Sequence, residues 1–86
     1  MLWRLRILRR AEKSLAKLPT KDQRLILEVL DEMRTDPFTG DIARLRGQRS
    51  TWRRRVGSYR LFFDVDPLLF VIDVVAIVRR TSTTYR

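Results

Sequence analysis

Eighty-six residues suffice for one small domain and exclude a second folded unit, so residues 1–86 are read as a single domain. With 44% hydrophobic and 34% charged residues the chain falls among globular proteins, and without cysteine it has neither disulfides nor thiolate metal sites. The absence of histidine removes the commonest general base and metal ligand, together with every Ser–His or Cys–His nucleophile pair, so no metal and no other cofactor is expected. Nineteen basic against ten acidic residues leave +9 at neutral pH, which calls for a polyanionic partner. Only Lys13, Lys17 and Lys21 among the basic residues are lysines; the rest are arginines, the side chain suited to planar, bidentate phosphate contacts. Residues 1–43 carry +2 and residues 44–86 carry +7, so the second half is expected to hold the site.

At the N-terminus, residues 2–8 alternate apolar and basic side chains, as a half-buried strand does, with the opening of a helix as the alternative. Arg4, Arg6, Arg9 and Arg10 break any unbroken apolar signal segment. From Arg9 the apolar spacing changes to Ala11, Leu15 and Leu18, one face of a short helix ended by Pro19. Thr20 and Gln23 read as a capping box opening a second helix, whose buried face is Leu25, Ile26, Val29, Leu30 and Met33 and whose end is Asp36-Pro37. Residues 36–50 contain Pro37, Gly40 and Gly47 and are read as a connection with a short extended piece at Ile42 to Leu45.

Three runs rich in β-branched and aromatic residues follow, Trp52 to Val56, Tyr59 to Asp66 and Leu68 to Val78. Gly57-Ser58 suits a two-residue type II′ hairpin and Asp66-Pro67 the next reversal. The last run is apolar on both faces, which predicts a central strand covered on two sides, with the N-terminal strand beside it. It is also, at 11 residues interrupted by Asp73, far short of the ~20 that a membrane span needs. The fold class predicted is α+β: an N-terminal strand, a two-helix hairpin, then a three-stranded antiparallel meander, giving a four-stranded sheet with helices on one face. The chain is expected in the cytoplasm, with no membrane partner.

The hairpin register is the most informative inference. With Gly57 and Ser58 as the loop, Val56 opposes Tyr59, Arg55 opposes Arg60, Arg53 opposes Phe62 and Trp52 opposes Phe63. Directly opposed residues share a face. Arg53, Arg55 and Arg60 therefore gather on one face, and Trp52, Val56, Tyr59, Leu61 and Phe63 line the other, assigned to the helices. An opposed arginine pair is destabilising unless an anion bridges it. The competing reading is a solvated, edge-protecting basic strand, with Asp73 as a salt-bridge partner for Arg60 across neighbouring strands. That pairing would leave Arg53, Arg55, Arg79 and Arg80 without partners.

The order of elements, and the segments Ala11-Glu12-Lys13-Ser14-Leu15, Leu18-Pro19, Asp36-Pro37, Leu45-Arg46-Gly47, residues 52–60 (WRRRVGSYR) and Arg79-Arg80 followed by Tyr85, resemble the RelE/ParE toxin superfamily of toxin–antitoxin modules. The resemblance spans nearly the whole chain. It implies either a RelE-like endoribonuclease that enters the ribosomal A site and cuts mRNA, or a ParE-like inhibitor of DNA gyrase; a noncatalytic RNA-binding protein of the same fold is a third reading. Tyr85 at its spacing favours the nuclease. Carried over by motif, the catalytic residues fall on Arg60, on Arg79 or Arg80, and on Tyr85. RNA contacts fall on Arg53 and Arg55, with Arg46 and Arg49 in the preceding loop. The implied partners are mRNA, the ribosome and a cognate antitoxin protein.

In such a site the 2′-OH of RNA is the nucleophile, the arginines stabilise added phosphate charge, and Tyr85 accepts the proton, aided by guanidiniums that lower its pKa from about 10. Tyr85 could instead stack on an extruded base or anchor the tail. Arg54 stands where the superfamily keeps an apolar, core-facing residue; either its head snorkels to the sheet edge or the register is off by one. Trp3 and Trp52 are read as sheet packing.

Overall fold

The computed structural model describes residues 2–47 and 51–80. A first strand, β1 (Arg4–Ile7), leads into two helices, α1 (Arg9–Ala16) and α2 (Thr20–Thr35), and then into four strands, β2 (Ile42–Arg44), β3 (Trp52–Val56), β4 (Tyr59–Asp66) and β5 (Val71–Arg79). They form one five-stranded sheet of order β1-β5-β4-β3-β2, antiparallel except for the parallel β1–β5 pair. The sheet has one strand more than the sequence predicts, because the extended piece at Ile42 pairs with β3 as a three-residue edge strand.

One face of the sheet carries the core. Ala11 of α1 and Ile26, Val29, Leu30 and Met33 of α2 pack against Val56, Tyr59, Leu61, Phe63, Ile72, Val74 and Ile77. The helix residues fall at three- and four-residue spacing and the β4 residues at alternate positions, the two periods needed for a helix layer on a sheet face. The boundaries of α1 and α2 have local causes. Asp36 closes α2: its Oδ1 accepts from the Phe38 amide at 2.9 Å, its carbonyl from the Thr39 hydroxyl at 3.2 Å, and Pro37 is buried behind it. At the other end no capping box forms. Pro19 is the N-cap, Thr20 is already helical, and the Gln23 amide donates to the carbonyls of Ala16 (3.2 Å) and Leu18 (3.0 Å), tying the start of α2 to the end of α1.

The hairpin between β3 and β4 has the predicted register throughout. Gly57 supplies the positive φ (+54°) while Ser58 does not, as a type II′ turn requires. The next reversal is longer than expected. Asp66 Oδ1 accepts from the amides of Leu68 (3.0 Å) and Leu69 (3.2 Å), and the chain turns through residues 67–70 before β5 begins at Val71. Leu68 and Leu69 thus lie in an exposed turn rather than in the strand, with Phe70 stacked on Trp3 at 4.9 Å between ring centroids.

β5 is central, as predicted, but helices cover only one of its faces. Its two-sided apolarity has another cause: Phe62 pairs with Ala76 and Phe63 with Val74, which leaves Val75 as a bulge. The extra residue flips the alternation, so the core takes Ile72 and Val74 before it and Ile77 after it.

Arg54 is resolved without a register slip. It lies on the helix side of β3, 8% exposed, and its Nη2 reaches Glu32 Oε1 of α2 at 3.1 Å while Nη1 approaches the Thr39 hydroxyl at 3.5 Å. Gly40, at φ +80°, lies directly over the guanidinium: a Cβ there would stand 2.7 Å from Cζ of Arg54. A glycine is required at that position both for its φ and for the space.

Candidate functional site

The face opposite the helices is set by the alternation of β1, β3, β4 and β5. Three rows of side chains cross it, read from the register. The first is Arg55 (β3), Arg60 (β4) and Val78 (β5). The second is Ala43 (β2), Arg53 (β3), Phe62 (β4) and Ala76 (β5). The third is Asp64 (β4), Asp73 (β5) and Arg6 (β1). Opposed Cβ atoms in such rows are about 4.5–5.5 Å apart. Arg53, Arg55 and Arg60 therefore share a patch only two residues long and two strands wide.

That patch is electrostatically incomplete. Among the described residues, Nη1 of Arg53 and Nε of Arg60 are buried without a hydrogen-bond partner, although buried donors are ordinarily satisfied. Arg55 has an acidic neighbour that the sequence reading did not foresee. Asp41, in the loop before β2, holds the Arg55 amide through its carbonyl at 2.9 Å and places its carboxylate 3.8 Å from Arg55 Nε. Both side chains are largely exposed and the contact is long, so the screening of Arg55 is weak.

The salt bridge proposed between Arg60 and Asp73 does not form. The long turn at residues 67–70 and the bulge at Val75 place Val78 opposite Arg60 and bring Asp73 opposite Asp64. Asp73 is instead held by Arg6, its parallel-strand neighbour, through Nε–Oδ1 at 2.6 Å and Nη2–Oδ2 at 2.9 Å. The hydrogen bonds from Arg6 hold the Asp73 carboxyl below its ordinary pKa, against the opposing effect of burial, and Arg6 is raised by the same pair. Asp64 is occupied on its other side, accepting from the Thr51 amide at 2.7 Å.

The two arginines at the end of β5 are separated by the strand. Arg79 opposes Tyr59 and therefore belongs to the helix side, its guanidinium 6.0 Å from the Tyr59 ring centroid. Arg80 continues the ladder, its amide donating to the Ser58 carbonyl at 2.6 Å, and the alternation carries its side chain to the face of Val78 and Arg60. Arg46 lies exposed beyond β2, away from the arginine rows, and Arg44 beside it stacks over Trp52 at 5.8 Å. Arg49 and Tyr85 lie outside the described residues.

Beneath Arg79 is a contact with no advance signal in the sequence. The hydroxyl of Tyr59, a residue only 2% exposed, donates to Asp22 Oδ2 of α2 at 2.5 Å. This hydrogen bond, aided by desolvation, raises the Tyr59 pKa, and Arg79 opposes the rise. It ties the hairpin end of β4, from which Arg60 projects, to the first turn of α2. Asp22 and Tyr59 are 37 residues apart, and only the packing of α2 across the sheet brings them together.

An α+β fold with a helix pair on one face of a mostly antiparallel sheet and an arginine patch on the other, bare face is the architecture of RelE/ParE-type toxins. Residues 5–83 match the family described as ParE toxin of type II toxin–antitoxin system, parDE, and the chain belongs to that family. Among solved structures, it resembles the archaeal RelE–RelB complex from Pyrococcus horikoshii OT3 with 27% identity and a TM-score of 0.82, covering 96% of this chain and 100% of the other. The toxin–antitoxin complex RelBE2 from Mycobacterium tuberculosis matches at 22% identity and TM-score 0.81, over 93% and 100% of the two chains. The isolated E. coli RelE toxin matches at 21% and 0.79, over 95% and 88%. No curated protein sequence matches the chain. Among the described residues, no helix is long and apolar enough to cross a membrane.

Proposed function

We propose that this toxin is a ribosome-dependent endoribonuclease that cuts mRNA in the A site, and that a cognate antitoxin protein restrains it. The observation that carries the reading is the Arg55–Arg60 pair with Arg53 beside it, a cluster of like charges with two buried, unpartnered guanidinium nitrogens. Such an arrangement lowers stability unless an anion sits on it, and a phosphodiester supplies that anion with bidentate geometry. Arg80, just past the end of β5 and on the face of Arg60, supports the assignment of Arg80 rather than Arg79 as the site's further arginine.

The chemistry needs no group from outside the protein and RNA. The 2′-OH attacks the adjacent phosphorus, the P–O5′ bond breaks, the departing O5′ takes a proton from solvent water, and the products are a 2′,3′-cyclic phosphate and a 5′-OH. Arg60 and Arg80 stabilise the extra charge on the phosphorane oxygens, while Arg53 and Arg55 hold flanking phosphates. Tyr85, assigned by its resemblance to the superfamily's C-terminal tyrosine, accepts the 2′-OH proton. Arg46 and Arg49, which precede β3 in the sequence, are assigned to RNA contact by charge and by their place beside the Leu45-Arg46-Gly47 segment that resembles the superfamily.

The test is cell-free translation of a defined reporter with primer extension on its mRNA, for wild type, Arg60→Ala and Tyr85→Phe, with and without ribosomes. Ribosome-dependent cuts lost in both variants support the reading; intact mRNA with folded wild-type protein overturns it. The second reading is a gyrase inhibitor, favoured by the match to the ParE family. It predicts intact mRNA together with loss of supercoiling in a gyrase assay, and indifference to Tyr85→Phe.

A further inference from the structure

We infer that Phe62 is a platform on which a base of the bound RNA stacks, an assignment that rests on the nuclease reading and names what holds the nucleotide beside the arginine patch. Among the described residues, Phe62 is the aromatic residue of the bare sheet face. Phe63, its neighbour in β4, is fully buried in the core, whereas Phe62 belongs neither to that core nor to the partly buried residues packed against it. Among the described aromatic pairs, Trp3–Phe70 and Phe38–Trp52, it has no share. An aromatic side chain on a face without helices thus makes no contribution to the core that would account for it.

Its neighbours fit a nucleotide. Phe62 lies in register between Arg53 and Ala76, and the row continues to Ala43 beyond Arg53. The two alanines carry only a methyl group above the sheet, so the row rises only at the aromatic ring and the guanidinium next to it. Arg60, two residues earlier on β4, projects on the same side. A phosphate bridging Arg55 and Arg60 would leave its attached nucleoside about one strand residue-pair away along β4, roughly 7 Å, which is where the ring lies. On the far side, Asp64 and the Arg6-paired Asp73 leave a row of net negative charge that disfavours a further phosphate and so limits the backbone to the arginine side. An apolar ring between cationic and anionic rows accepts a flat, uncharged group carried by an anionic backbone, which describes a base of single-stranded RNA.

The experiment uses the full chain and a short single-stranded RNA with a fluorescent purine analogue, 2′-O-methylated at every position so that it is not cut. Wild type and Phe62→Trp should quench the purine, and Phe62→Leu, which keeps an apolar side chain, should lose the quench and weaken binding by about 5- to 150-fold. The slope of log affinity against log salt should be unchanged in Phe62→Leu and reduced by about one ion in Arg53→Gln, separating stacking from phosphate contact. In the ribosome assay Phe62→Leu should raise KM more than it lowers kcat. Equal affinity and quench in Phe62→Leu overturns the platform, as does a folded Phe62→Tyr that fails to quench if Phe62→Leu does not fold. Wild-type quenching without any mRNA cleavage would sink the nuclease while keeping the platform, and cleavage indifferent to Phe62 would do the reverse.

Discussion

Replacing Arg60 with Met should make the protein more stable while removing its activity. In the folded chain Arg60 directly opposes Arg55, and its Nε is buried without a partner. Opposed like charges cost a few tenths to about 1 kcal/mol, and an unsatisfied buried donor about 1–3 kcal/mol. Met retains the aliphatic stem that covers the sheet, so little packing is lost. Discounting both figures for a side chain that is only half-buried, the net gain is about 1–2 kcal/mol. For a domain of this size each kcal/mol moves the thermal midpoint by about 4–8 °C. Urea unfolding followed by Trp fluorescence at low ionic strength measures the gain, and an unchanged m-value certifies that it lies in the native state. Inorganic phosphate provides the complementary arm. It should stabilise the wild type more than Arg60→Met, because only the wild type offers it the bridged pair, while its general excluded-solute effect acts on both. A variant less stable than the wild type in low salt, or one with the same phosphate response, would refute the idea that the cluster is held against its own repulsion.

Arg80→Ala should lower mRNA cleavage by about 10²- to 10³-fold, as loss of a charge-stabilising donor does; Arg79→Ala should cost under about tenfold and act mainly through stability, by loss of the Tyr59 stacking. Primer extension alongside urea unfolding separates the two. In Tyr59→Phe the alkaline limb of stability should change: the folded pKa of Tyr59 lies above that of the unfolded chain, so its contribution is complete below about pH 10 and is lost as pH rises through the folded value. A phenolate absorbance titration should show one late-ionising tyrosine in the wild type and none in the variant. Asp73→Asn should act at the acid end. The folded carboxyl titrates below its ordinary value, so the wild-type contribution is present above about pH 4 and is lost as pH falls through the folded pKa. The variant should be modestly less stable at neutral pH and show a flatter acid limb in urea midpoints measured between pH 2 and 6, taken as roughly the range that brackets carboxylate titration.

The β3–β4 hairpin was fully legible because Gly57 and strict alternation fix its register without tertiary information. The choice between Arg79 and Arg80 was not. Extrapolating the alternation from Ile72 and Val74 puts Arg79 on the bare face and Arg80 among the helices, and the bulge at Val75 reverses both. A bulge in a run of apolar residues leaves no compositional trace, since Val, Ala and Ile suit either face of such a strand. The partner of Asp73 was hidden for a related reason. Its neighbour Arg6 comes from a parallel strand 67 residues earlier, and parallel register is set by the crossover rather than by a turn whose residues can be read. The capping box failed differently: Thr20 and Gln23 have the right spacing, but the helix starts one residue earlier, with the Pro19 carbonyl accepting from the Gln23 amide, and the Gln23 side chain turns back to the carbonyls of Ala16 and Leu18.

The same bulge carries a functional consequence. On the bare face, the residues C-terminal to it put Val78 and Arg80 beside Arg60, and the residues N-terminal to it put Asp73 beside Asp64. The bare face thus has a cationic end at Arg60 and Arg80 and an acidic end at Asp64 and Asp73, with Phe62 and Ala76 at the boundary. A regular ladder that paired Val75 with Phe62 would set Ile77 opposite Arg60, out of the core, and turn Arg80 to the helix side, so the integrity of the core and the placement of Arg80 depend on the same bulge. The strand that α1 packs on is also the strand that leads into Arg80, so the bulge that keeps Ile77 in the core also sets the face on which Arg80 meets the arginines of β3 and β4.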